Sequence, residues 1–171
     1  MSSDPHSTDP LGRALGFLCD MSAAFGCVIL VAMAGMTVVS VVGRAFFEHP
    51  ILGDVELVQL GCAVVVAAFL PYAQFKRANI IVDFFTTGAS AGAQRRMDAF
   101  GTLLYTLVMA LLSWRVAVGG IDIHAAGERS MLMDLPLWVT YVLMVPGFVL
   151  CTVIGAYQTV QQLRAQPGAL A

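Results

Sequence analysis

Four long stretches of the chain contain no charged residue: 21–43, 57–75, 99–114 and 135–163. A helix of about 20 apolar residues crosses the hydrocarbon core of a bilayer. Three of the stretches reach that length, and the third does so once Val116, Ala117 and Val118 are added beyond Arg115. The balance of residue types agrees: 58% are hydrophobic and 12% charged, against about 25% charged in a soluble domain. The fold class this implies is an all-α membrane protein with four transmembrane helices. Residues 1–10 are polar and read as a disordered tail, 11–165 form one four-helix domain in the lipid bilayer, and 166–171 are a second tail. The first apolar stretch is too long for the core of a cleavable leader and reads as a retained anchor.

Cationic residues orient such a chain, because they accumulate on the cytoplasmic side. With the N-terminus inside, Arg13, Lys76, Arg77, Arg95, Arg96 and Arg164 fall inside, and Arg44, Arg115 and Arg129 outside. This expectation puts both termini in the cytoplasm of a bacterial inner membrane. Pro50 prevents the first helix from continuing. Asp54 is placed to cap the second helix, and Glu56 falls in its first turn, where a negative charge complements the dipole. Residues 79–85 (NIIVDFF) are apolar but too short to span, and read as a short interfacial segment in the central cytoplasmic loop. Ser90 is placed to cap the third helix. The outer connection 119–134 reads as a solvated loop or a surface helix. Pro136 suits the first turn of the fourth helix, with Trp138 and Tyr141 in an aromatic belt.

The membrane stretches hold few groups that do chemistry. Cys19, Cys27, Cys62 and Cys151 form no CxxC pair and read as small buried apolar residues. His6, His49 and His124 lie outside the four stretches, so no uncharged stretch carries an axial haem ligand. His124 and Glu128 would share a face in a helix, a poor metal site by itself. No nucleophile–base pair and no phosphate-binding loop is present. Neither an enzyme nor a cofactor is expected, and no nucleic-acid partner. Within the four stretches Thr37, Ser40, Thr106, Ser113 and Thr152 are the main polar side chains, each able to bond its own backbone. A carrier needs ionisable groups or broken helices at depth. The remaining classes are an accessory subunit, a membrane scaffold, or a small oligomeric four-helix exporter. Exporters of that kind use a glutamate inside the first helix, and residues 21–43 have none.

Two features invite a partner. Gly147, Cys151 and Gly155 recur every four residues, as do Ala63 and Ala67, and small faces let helices approach closely. Such a face serves the chain's own bundle equally well. Charges also cluster at the membrane borders: Arg44, Glu48, Asp54 and Glu56 outside, and Lys76, Arg77 and Asp83 inside. Arg44 and Glu56 are positioned to pair with each other or with a second chain.

The order of four short segments resembles one family. They are Val42-Gly43-Arg44-Ala45-Phe46, then Asp54-Val55-Glu56-Leu57, then Lys76-Arg77-Ala78-Asn79-Ile80-Ile81-Val82-Asp83, and finally Leu135-Pro136-Leu137-Trp138 followed by Pro146-Gly147-Phe148. Together they are similar to the small membrane subunit of tripartite ATP-independent periplasmic (TRAP) transporters, the DctQ-like family. Ala78-Asn79 departs from the Gly-His common there, and Asp54-Val55-Glu56 from two adjacent acids. The resemblance implies a subunit that carries no solute itself. It implies a large membrane partner (DctM-like) holding the solute and sodium sites, and a periplasmic solute-binding protein (DctP-like) delivering organic acids. Arg44, Glu56, Asp83, Pro136, Trp138, Gly147, Cys151 and Gly155 are then candidates for subunit contacts or for structure.

Overall fold

The computed structural model describes residues 10–47, 53–76 and 91–164. They form four helices: α1 (Pro10–Phe47), α2 (Asp54–Phe75), α3 (Ala91–Ala126) and α4 (Trp138–Arg164). All four are long and apolar enough to cross a membrane, over Pro10–Phe46, Asp54–Phe75, Met97–Ala126 and Trp138–Gln162. The expected all-α class with four spans therefore holds. The interfacial segment 79–85, with Asp83, lies outside the described residues, as do Pro50, Ser90 and both tails apart from Pro10, which opens α1.

Two helix ends differ from expectation. The third helix does not end near Val118. It continues through Gly119 and Gly120 to Ala126. Glycine costs a helix about 1 kcal/mol relative to alanine, but here close packing uses it, because the Cβ of Tyr141 lies so near Gly120 that a Cβ there would crowd it. The helix stops at Gly127, whose φ of 65° favours glycine. There the Gly127 N–H donates to the His124 carbonyl at 3.2 Å and the Glu128 N–H to that of Ile123 at 3.3 Å, the double closure of a Schellman end. His124 and Glu128 thus fall on either side of the helix end and share no helical face. At the start of α2 the cap position belongs to Gly53, with φ 83°, and Asp54 is the first helical residue. The Asp54 carboxylate turns to α1 instead, accepting from the Ser40 hydroxyl at 2.6 Å.

The helices stand in a row, α1–α2–α4–α3, with α1 also meeting α4 around Leu15, Cys19 and Ile154. Each seam has its own chemistry. Between α1 and α2, the Ser22 hydroxyl donates to the Ala68 carbonyl at 2.8 Å and the Cys19 thiol to that of Pro71 at 3.6 Å. Pro71 has no N–H, so it cannot make the helical bond to the Ala67 carbonyl one turn back. Gly147 of α4 sits directly on that carbonyl, where any Cβ would collide with it. Between α3 and α4, Gly155 fits against Thr106 in the same way, and the Ser113 and Thr152 hydroxyls lie 3.3 Å apart. At the end carrying the termini, buried Gln74 and Gln158 close the α2–α4 seam. The Gln74 amide donates to the Gln158 side-chain oxygen at 2.9 Å, and Gln158 donates back to the Gln74 carbonyl at 3.1 Å.

A row buries little. The core consists of small residues such as Ala67, Ala68 and Cys151, while Val28 and Val31 of α1 are 70% and 71% exposed. Such apolar faces suit lipid or a membrane partner.

Candidate functional site

The residues that mark a site lie in two places: at the end opposite the termini, and on the outward face of α3.

The first is a ledge made by residues 128–137. Its arms are joined by the Ser130 N–H on the Leu135 carbonyl at 2.9 Å and the Leu137 N–H on that of Glu128 at 3.4 Å. Arg129 and Asp134 pair at 2.7 Å across it. Asp134 has φ 54°, a conformation aspartate accepts more readily than most residues. Glu56, from the first turn of α2, holds the ledge down. Its carboxylate accepts the Ser130 hydroxyl, the Leu132 N–H at 3.1 Å and the Met133 N–H at 3.4 Å. The ledge carries Met131, 98% exposed, with Leu132 beside it. Pro136 precedes α4 rather than entering its first turn, and its carbonyl accepts the Val139 N–H at 3.3 Å. Trp138 opens the helix, edge-on to the His124 ring at 5.1 Å.

The expected Arg44–Glu56 pair does not form. Arg44 approaches Asp54, at 3.9 Å, while Glu56 is occupied by the ledge. Gly147, Cys151 and Gly155 do not open outward to a partner. Cys151 is fully buried, and both glycines are filled by neighbouring helices of the same chain. Sequence reasoning missed Gln74, Gln158, Ser130 and Arg115. Ser130 gives no local signal, because its partner is 74 residues away.

Arg115 is the second place. The cationic count grouped it with the outer segments, although the extension of the third stretch to Val118 already ran past it. The observed register puts it within the span. His124, level with Trp138 at the start of α4, is nine residues further along α3, so Arg115 lies about 14 Å below that level at 1.5 Å per residue. In the other direction Asp98 is about 25 Å away. Exposed Val38, Val39, Val41 and Val42 extend α1 to the level of Asp54, which Ser40 bonds. Within the span Met97–Ala126, Arg115 is 18 residues from one end and 11 from the other, about 27 Å and about 16 Å along the helix. The side chain is exposed, and among the described residues it has no hydrogen-bond or ion-pair partner. An arginine at the bilayer centre costs about 2.5–3.5 kcal/mol on insertion scales.

An apolar groove of about 540 Å³ lies between α1, α2 and α4, lined by Met33, Met36, Leu57, Gly61, Val139 and Leu143 among others. Thr140 is its one polar side chain, so it offers no carboxylate cradle. Among the described residues no group of three His, Cys, Asp or Glu could hold a metal ion.

Neither the curated proteins nor the solved structures compared with the chain gave a match. A family model did match, over residues 33–165: tripartite ATP-independent periplasmic transporters, DctQ component. That range takes in the last 15 residues of α1, all of α2, α3 and α4, the ledge and Arg115. By this match the chain belongs to the DctQ family, the small membrane component of TRAP transporters.

Proposed function

We propose that the chain is the fixed subunit of a sodium-coupled importer of organic acids. In this reading it braces the large membrane subunit, and its ledge forms part of the surface on which the periplasmic solute-binding protein docks. The family match over residues 33–165 carries the reading. The structure supports it through a row of helices with two broad apolar faces and a ledge held in one position by Glu56.

Both termini face the cytoplasm in this proposal. With Arg115 inside the span, the cationic count becomes six inside (Arg13, Lys76, Arg77, Arg95, Arg96 and Arg164) against two outside (Arg44 and Arg129). That is a stronger bias than charge counting alone suggested. The ledge then faces the periplasm, where a solute-binding protein arrives.

Reconstitution into proteoliposomes tests the function. With a sodium gradient and loaded binding protein, uptake is expected from the two membrane subunits together and from neither alone. Accumulation by this chain without the large subunit would contradict the reading.

A further inference from the structure

We propose that the face of α3 carrying Arg115 is the seat of the large membrane subunit, which meets the guanidinium with a carboxylate at mid-membrane depth. This rests on the subunit reading above and assigns that partner to one face. α3 packs on α4 through Thr106, Ser113 and Gly120. Leu104, Val108, Leu111 and Arg115 follow one another at four- and three-residue steps and are all exposed, so they form a stripe on another side of the helix. A stripe of leucine and valine alone would be at home in lipid. An arginine at its centre is not, because lipid tails provide neither counter-charge nor hydrogen-bond acceptor. Cα–Cβ bonds on a helix tilt toward its N-terminus, so the Arg115 side chain leaves α3 in the direction away from the His124 end.

Charge selects the occupant. Asp20, Asp54, Glu56, Asp98, Asp122, Glu128 and Asp134 are the acids of the described residues, and none is at this depth on this face. Asp122, the nearest along α3, is two turns higher. A second copy inserted in the same direction would bring Arg115 to face Arg115. Two copies meeting through this face therefore repel, and the complementary acid is assigned to the large membrane subunit, with a second copy that presents Asp20 of α1 as the competing outcome of the test. A buried pair of this kind specifies register: it forms only when the two chains stand at matching depth.

The test uses the two membrane subunits co-expressed and extracted together, with this chain tagged. A benzoylphenylalanine photoprobe at position 111 is expected to crosslink to the large subunit. Arg115→Leu raises the hydropathy of α3, so the chain should reach the membrane at normal levels. It is expected to lower recovery of the large subunit about tenfold or more, since one partner of a buried pair is left uncompensated. Arg115→Lys should restore most of that recovery. Equal recovery of the large subunit with Arg115→Leu and with the native chain would overturn the proposal. So would a photoprobe that reaches only lipid or a second copy of this chain. Normal recovery with a raised KM for solute would place Arg115 on the transported molecule and overturn the docking face as well. If the native chain recovers no large subunit at all, the subunit reading fails, and this face fails with it.

Discussion

A carboxylate in the first turn of a helix is ordinarily served by the helix dipole. Glu56 is instead taken up by hydrogen bonds from a segment more than 70 residues further along. The amides of Leu132 and Met133 point inward at its oxygens, which leaves Met131 at the exposed position. Glu56→Gln keeps one acceptor oxygen but loses the charge and half the acceptor capacity. Hydrogen exchange at the Leu132 and Met133 amides is expected to rise several-fold, with the α2 amides unchanged. Unaltered exchange at both positions would mean the ledge is held by its own cross-links. Asp54 has a different part: it joins α2 to Ser40 and, more loosely, to Arg44. Two acids two residues apart therefore serve two different seams, and their order along the chain gives no hint of which goes where.

Among the elements, the small residues of α4 determine how the row closes. Gly147 rests on the carbonyl to which Pro71 cannot donate, so a proline and a glycine from different helices meet at one contact. Gly147→Ala is expected to destabilise the isolated chain by about 1–3 kcal/mol, the usual range for overpacking. Detergent-unfolding midpoints of the chain without any partner would measure it. A loss seen only in the presence of a second subunit would reassign the face. Gln158→Leu leaves the buried Gln74 amide without its side-chain acceptor, at a cost of about 1–3 kcal/mol. Replacing both glutamines by leucine should recover part of that loss, as apolar pairs of similar shape often do.

The helices themselves were legible as uncharged length, and four spans followed from that alone. The end of α3 was not. The Gly119-Gly120 pair disfavours a helix, and its reason for being there, the close approach of Tyr141 from another element, is not visible locally. The extension of the third stretch to Val118 already enclosed Arg115, but the cationic count still set it outside, because counting charges along one helix ignores how far that helix continues. Small-residue spacing in α4 correctly marked close approach. It could not say whether the approaching helix belonged to this chain.

For the whole molecule, the row has two exposed flanks and little interior. Reporter fusions after Arg96 and after Arg164 are expected to read cytoplasmic, and fusions near His49 and Gly127 periplasmic. A periplasmic reading at Arg96 would reverse the orientation and move the ledge to the wrong side for a solute-binding protein. The groove between α1, α2 and α4 is correspondingly apolar, lined by side chains of three spans with Thr140 its one polar group.

The seam at Gly147 also bears on biogenesis. α1–α2 and α3–α4 are each a helical hairpin between neighbours in sequence, and the α2–α4 contact is the main junction of the two. Each hairpin can be delivered to the bilayer as one insertion event, with the two halves meeting afterwards by lateral diffusion. Cutting the gene between them should therefore yield fragments that find each other when made in one cell. Gly147 would act there as an intermolecular recognition site rather than an internal one.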